Sequence, residues 1–167
     1  MTVAELMNGR SPDPMFEGFS IADDMVLAVG FGEAQTPGDY IVAQRGITGQ
    51  SGSLKAQTQE SQYLRNGQAT TKTGTTRTFQ LSGDRYNGDD FQDALLAHDL
   101  KFGTGQAVIR PYVYFNLLTG KGETGVVSIA VDNDLDGEAG ENAAFGATLS
   151  SVETPKFMSW TEMSGGV

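Results

Sequence analysis

An acidic segment, residues 132–137 (DNDLDG), is the part of the sequence whose residue types and spacing come nearest to a binding site. Its carboxylates at alternate positions, followed by a glycine, match the first half of a calcium loop. The twelfth position of such a loop needs a bidentate Glu, and here it is Ala143. Glu138 or Glu141 could complete an irregular oxygen cage. The simpler interpretation is a solvated acidic hairpin loop, so we predict no tight metal site and no other cofactor.

Acid–base or nucleophilic chemistry has few candidate residues in this sequence. The single histidine, His98, falls late in a predicted helix beside Asp99, where the helix dipole would stabilise it. A general base would need a nucleophile nearby in space. Ser51 and Ser53 lack the strand–turn–helix context of a hydrolase serine. Because no phosphate loop or dinucleotide fingerprint occurs either, we predict no catalytic and no cofactor-binding residue, and a protein that is not an enzyme.

Length and composition favour a single domain that does not need disulfide cross-links for its stability. The chain has 167 residues and no cysteine, which excludes disulfides and thiolate metal sites. Its first residues, MTVAELMNGR, lack the basic start and apolar run of a signal peptide. No apolar stretch approaches the ~20 residues of a membrane span. We therefore expect a soluble chain made in a cytoplasm.

Charge is unevenly distributed along the chain. The net charge is −10, yet residues 45–85 contain six of the eleven basic residues and only two acids, Glu60 and Asp84. This window carries +4 and the remainder −14. An acidic body with a basic segment can attract a copy of itself, although signs also segregate on surfaces by chance. An acidic chain is a poor candidate for tight DNA binding, which depends on neutralised phosphates.

The basic window contains a long polar run, residues 57–78, rich in Thr, Gln, Ser and Gly. β-branched Thr favours extended backbone. Asn66-Gly67 tolerates the positive φ angles of a tight hairpin turn. We predict a hairpin arm that projects from the domain. A flexible surface loop without function is the alternative that composition leaves open.

The remaining chain predicts a mainly β fold: an antiparallel β-sandwich or half-barrel with one flanking helix and the long polar arm. Residues 1–24 are expected to be an extended N-terminal arm, and residues 25–167 one domain. A helix is predicted over about residues 89–100, capped by Asn87 or Asp89. Pro111 cannot donate to a ladder, which predicts an edge strand or a bulge there. Strands are predicted over residues 25–31, 40–44, 47–56, 76–82, 107–116, 125–131, 144–152 and 156–161.

Alternation along residues 76–82 predicts which side chains form the core. Phe79 and Leu81 share one face of this strand, and polar residues occupy the other. In the helix, Phe91 and Leu95 fall at helical spacing. We predict that these four side chains pack together.

Most of the sequence, from about Ile47 to Pro155, resembles a major tail (tail tube) protein of a long-tailed bacteriophage. The resemblance lies in the order of its parts: the polar arm, SGDR, an acid-capped helix, the aromatic strand AVIRPYVYFN, the TGKGE turn and then NDLDGEAGENAAF. It implies a structural virion protein that stacks as hexameric rings, assembled in the host cytoplasm. The rings would form the conduit for DNA, which would pass without specific binding.

The resemblance also implies partners. These are further copies of the chain, the tape-measure protein and the tail terminator and distal tail proteins, with no membrane partner. Within this interpretation the arm joins subunits, and its cations Arg65, Lys72 and Arg77 are the predicted self-assembly residues. The alternative of a different class is an extracellular-type β-sandwich binding module, calcium-dependent and recognising carbohydrate. That module would need an exposed aromatic platform and a complete calcium loop.

Overall fold

The structure, a computed structural model, describes residues 1–33 and 36–164. Antiparallel β-strands dominate it, which confirms the predicted mainly β class. The strands are β1 (Met25–Val29), β2 (Ile41–Val42), β3 (Ile47–Tyr63), β4 (Gly67–Asp84), β5 (Ile109–Asn116), β6 (Lys121–Asp136), β7 (Ala144–Ser151) and β8 (Lys156–Ser159). The helices are α1 (Val3–Met7), α2 (Asp90–Leu95), α3 (His98–Phe102) and α4 (Trp160–Met163), and 3-10 turns occur at Ala22–Asp24 and Gly105–Val108.

All eight strands belong to one open sheet of order β2-β1-β5-β6-β7-β4-β3, with β8 paired to the first part of β6. The sheet curls on itself, because strands that are not neighbours still meet. The ring of Phe79 on β4 lies 5.2 Å from that of Tyr112 and 4.9 Å from that of Tyr114 on β5. Two strands, β6 and β7, separate β4 from β5 in the sheet. The architecture is therefore a half-barrel.

The two faces of the sheet carry two separate apolar clusters. Alternation decides which side chain joins which cluster: Leu27 on β1 and Tyr112 on β5 point to the concave face, whereas Val26 and Val113 point to the other. Helices α2 and α3 contribute to the first cluster and α1 to the second. The predicted contacts are confirmed, because Phe79, Leu81, Phe91 and Leu95 are all buried in the first cluster.

The single helix predicted over residues 89–100 is two short helices. Asp89 caps α2 as predicted, accepting a hydrogen bond from the Gln92 backbone N–H at 3.1 Å. The chain then leaves helical geometry at Ala97, whose ψ is 147°. Because of the break, the side chain of Leu100 points into the same core as that of Leu95. In one straight helix, Leu100 would lie on a different face from Leu95. His98 consequently starts α3 instead of ending a helix, and it is exposed.

Residues 1–24 differ from the expected extended arm at their beginning. Thr2 and Glu5 form a capping box: the Glu5 N–H donates to the Thr2 hydroxyl at 3.2 Å, and the Thr2 N–H donates to the Glu5 carboxylate at 2.8 Å. The helix that follows buries Val3 and Met7 in the second cluster. Residues 9–21 contain no helix or strand. The division of the chain between residues 24 and 25 stays a prediction.

Pro111 lies in a central strand, so the predicted edge position is wrong. Strand β5 pairs with β1 on one side and with β6 on the other. The register with β1 ends at the Val29–Tyr112 pair, one residue before the proline. The Pro111 carbonyl accepts a hydrogen bond from the Gly30 N–H at 2.9 Å, and the nitrogen faces the same side, beyond the end of β1. Proline has no N–H to return to the carbonyl of Gly30, which lies opposite it, so the ladder between β1 and β5 ends at this point.

Candidate self-assembly arm

The distal part of the β3–β4 hairpin, residues 54–77, projects from the sheet, and we call it the arm. Among the described residues, strand β7 supports β4 only from Thr78 to Asp84, and β3 pairs with no strand except β4. The unsupported part of β4, Gly67 to Arg77, spans about 35 Å at the usual rise of a strand. Arg77 is the only buried residue of the arm. The predicted hairpin arm of residues 57–78 is thus present and begins three residues earlier.

The arm has a continuous register with one irregularity. Gln57 opposes Gly74 and Thr58 opposes Lys72, which leaves Thr73 as the extra residue of a bulge. The Thr73 hydroxyl donates to the Gln57 carbonyl at 3.2 Å and secures this point. Since bulges bend and twist a ribbon, the arm changes direction here.

A short loop, residues 64–66, closes the arm after the last pair, Tyr63 and Gly67. The turn is therefore where Asn66-Gly67 predicts it. Its positive φ angles occur at Arg65 (69°) and Gly67 (72°), not at Asn66. An arginine in left-handed geometry is strained by roughly 1–2 kcal/mol. Leu64 beside it is 89% exposed.

Two of the three predicted self-assembly cations are free. Arg65 and Lys72 are exposed, and neither makes an ion pair or side-chain hydrogen bond with any residue that the structure describes. Together with Lys55 and Glu60 they leave the outer arm with a net positive charge. Their charges are available to another molecule.

Arg77 differs from them because it already has partners within the chain, and its role in self-assembly stays a prediction. Its side chain is only 10% exposed, and its Nε lies 2.8 Å from Oε1 of Glu123 on β6 as an ion pair. The guanidinium stacks over the rings of Phe79 and Tyr114, at 4.7 and 4.9 Å from their centroids. Alternation puts Arg77 on the core face with Phe79, and the curled sheet supplies a carboxylate opposite it. Arg77 therefore anchors the base of the arm.

A buried phenol completes this anchor. The Tyr112 hydroxyl donates to Oε1 of Glu123 at 3.1 Å. Burial, reinforced by the Glu123 charge, raises the pKa of Tyr112 far above its usual range, so the phenol stays a donor. Glu123 is thus held by a cation and a hydroxyl. This network has the character of a structural support and gives no nucleophile.

The acidic segment 132–137 is largely strand, because β6 continues to Asp136. The Asp132 carboxylate accepts from the Thr148 hydroxyl at 2.7 Å, and Asp134 accepts from the Lys101 ammonium at 3.1 Å. The hydrogen bond from Lys101 lowers the pKa of Asp134. Within residues 1–33 and 36–164, no three His, Cys, Asp or Glu side chains are grouped as metal ligands would be. The two best-placed carboxylates of the segment therefore bond to other side chains.

His98 is placed apart from the serines that the sequence singles out. Its ring packs against that of Phe102, with centroids 4.9 Å apart, whereas Ser51 and Ser53 lie on β3.

No helix in the described part of the chain is long and apolar enough to cross a membrane.

Comparison with solved structures shows which proteins share this fold. The tail of an empty GTA particle, refined helically with C6 symmetry, has a chain that matches with a TM-score of 0.60 at 14% identity, covering 84% of this chain and all of that one. The virion of a native gene transfer agent particle gives 0.57 at 12%, with the same coverage. The tube-terminating cap of the anti-feeding prophage gives 0.50 at 12%, covering 88% and 96%. No protein-family model and no curated protein matches the sequence. At these identities the likeness establishes a shared fold.

Proposed function

We propose that this chain is a structural subunit of a phage-type tail tube, which assembles into stacked hexameric rings in a virion. The observation that carries the proposal is the arm: about 35 Å of β-hairpin, exposed on both faces, attached to the fold found in tail components. The GTA tail with C6 symmetry supports the hexameric ring. The protein is proposed to have no enzymatic role.

The arm is the part of the molecule that favours association. A two-stranded hairpin without a packed face is marginally stable alone, so its long ordered strands call for a partner. In the described part of the chain no strand pairs with the outer edge of β3, so a neighbouring strand can add to its backbone groups. Single exposed ion pairs contribute only about 0–1 kcal/mol. Repetition around a ring and along a stack multiplies such small contributions.

The charge of the body suits a lumen through which DNA slides. With a net charge of −10, the subunit repels phosphates instead of binding them. In this proposal the tape-measure protein shares the lumen, and tail terminator and distal tail proteins close the ends. Assembly takes place in the host cytoplasm. Residues 25–167 constitute the tube domain in this proposal, and residues 1–24 form an N-terminal segment whose helix α1 packs on that domain.

The test is self-association of the purified protein, followed by sedimentation over a range of concentrations and by negative-stain electron microscopy. Rings or tubes are expected. A protein that stays monodisperse and monomeric at every concentration would contradict the proposal. If it also bound sugars in the presence of calcium, the binding-module alternative would replace it.

The register shows how to remove the arm without disturbing the core. Because Gln57 pairs with Gly74, residues 58–73 can be replaced by an Asn-Gly turn. A matched control uses the Asp136–Ala144 pair and replaces residues 137–143 by the same turn. We expect both variants to keep the wild-type circular dichroism spectrum and only the control to assemble. An arm-trimmed variant that still forms tubes would refute the role of the arm, and one that does not fold would assign the arm to the core.

A further inference from the structure

We propose that the tip of the arm, residues 63–67, docks into a groove beside helix α1 of a second copy of this chain, with Leu64 in the groove and Arg65 at Asp23. The inference rests on the proposed function and specifies which surface receives the arm. It derives from a cavity, an exposed side chain and two unpaired charges.

The receiving groove has a volume of about 480 Å³ and lies where the two edges of the open sheet approach each other. On one side, the Gln50 side chain donates to the Met25 carbonyl at 3.2 Å and links β3 to β1. The apolar part of the lining comes from five elements: Met1 and Leu6 at α1, Met25 and Val26 on β1, Val42 on β2, Ile47 on β3, and Leu117 after β5. The groove is thus a recess with both apolar and polar lining residues, left by incomplete closure of the barrel.

The rim of this groove carries one exposed acid. Ala22 and Asp23 line it and are exposed, and the Asp23 carboxylate makes no hydrogen bond or ion pair within the described residues. Its neighbour Asp24 already accepts the Ile21 N–H at 2.8 Å. Residues 13–24 contain four acids and no base, and Arg10 is the one cation lining the groove among the described residues. Asp23 is therefore the free charge that a cationic ligand would meet.

The tip of the arm has the complementary features. Leu64 is 89% exposed, which leaves a large apolar side chain in water at the end of the projection. Arg65 follows it directly, without a partner and in left-handed geometry. An apolar side chain beside a cation can contact the apolar side chains of the groove and the Asp23 carboxylate at its rim.

The occupant has to be another copy, because the arm of the same chain starts at the groove and extends away from it. Residues 47–50 of β3 line the groove, while the tip lies more than a dozen residues further along the same extended strand. The two surfaces are different, so the contact is heterologous and each copy can both give and receive an arm. Such a contact propagates into a ring or a stack.

The first experiment reverses the two charges separately and together. Arg65→Glu and Asp23→Arg should each weaken self-association at least about tenfold in sedimentation, because each turns an attraction into a repulsion. The combined variant should regain most of the loss. Lys72→Glu, the same charge change on the shaft of the arm, is the matched control and should weaken association less than Arg65→Glu. Circular dichroism establishes that each variant is folded.

The second experiment uses the absence of cysteine from the chain. A mixture of a Leu64→Cys variant and an Ala22→Cys variant should form a disulfide-linked dimer under air oxidation, well above the level of either variant alone. A mixture of Leu64→Cys with Glu138→Cys, on the other acidic loop, is the control and should cross-link little. Equal cross-linking in the two mixtures would overturn the proposed docking site.

The outcomes separate this inference from the proposed function. If the wild-type protein and the charge-reversed variants assemble equally well, the docking site is refuted. The proposed function as a tube subunit is not affected by that result. A wild-type protein that never associates would refute the proposed function and the docking together.

Discussion

Phe79 is the residue whose truncation tests the architecture most directly. It lies on β4 at the base of the arm and is completely buried. Its ring contacts Tyr112 and Tyr114 across the curled sheet, and the Arg77 guanidinium stacks on it. Phe79→Ala would remove all of these contacts at once and leave a cavity where β4 meets β5.

The expected loss of stability follows from these contacts. Buried Phe→Ala truncations cost about 3–5 kcal/mol. Aromatic pairs add about 0.5–1.5 kcal/mol each beyond buried area, so the upper half of that range applies, about 4 kcal/mol. A domain of this kind is stable by about 5–15 kcal/mol, and the variant should therefore remain folded but much weakened.

Urea unfolding, followed by circular dichroism and by the fluorescence of Trp160, measures the change. With a slope of about 2 kcal/mol per molar urea, the midpoint should fall by about 2 M. Both proteins must be monomeric by sedimentation in the assay, because association adds to apparent stability. Phe157→Ala is the matched control: this ring is 70% exposed on β8, and its loss should change stability by no more than about 0.5 kcal/mol.

A loss below about 1 kcal/mol for Phe79→Ala would refute the argument. It would mean that β4 presents its other face to the core, or that its register with β7 differs from the Phe79–Leu149 pairing.

Three further predictions concern the base of the arm, the acidic segment and the N-terminus. Arg77→Met should lower the free energy of unfolding by about 1–3 kcal/mol, because Glu123 loses its cation but remains a quarter exposed to water. In urea unfolding, the double variant with Glu123→Gln should regain part of this loss. If the losses of the two single variants simply add, Arg77 and Glu123 are not coupled. Calorimetry should detect no micromolar calcium binding, and binding that Asp134→Ala abolishes would contradict this expectation. Thr2→Ala should cost about 0.5–2 kcal/mol in thermal or urea unfolding, because it removes the cap of a helix that buries Val3; an unchanged midpoint would show that the Thr2 cap contributes nothing to stability.

Local sequence patterns were sufficient to predict those structural features that neighbouring residues determine. The alternation of Phe79 and Leu81 with polar residues correctly predicts the core face of β4, since the pleat has a period of two whatever the partner strand is. The cap at Asp89 and the turn at residues 64–67 are likewise local, because the groups concerned are only a few residues apart. The capping box of α1 is likewise visible in the sequence as a Thr-x-x-Glu pattern at residues 2–5.

Sequence patterns were insufficient where a distant part of the chain supplies the deciding contact. Arg77 reads as one more cation of a basic arm, and it is buried because Glu123, forty-six residues later, meets it across the curled sheet. Pro111 reads as an edge residue, but it is tolerated in a central strand because β1 ends one residue earlier. The break at Ala97 depends on where the core needs Leu100.

The sequence by itself therefore determined the β class, the hairpin arm, the buried face of β4 and the uneven distribution of charge. Each of these follows from spacing or composition over a few residues. The tertiary structure alone decided the order of the strands, the curl that leaves a groove between β1 and β3, and the division of the basic residues into a buried anchor and free charges at the tip. The physical reason is that burial and pairing depend on which distant segments meet, and strand order is settled by packing of the whole sheet.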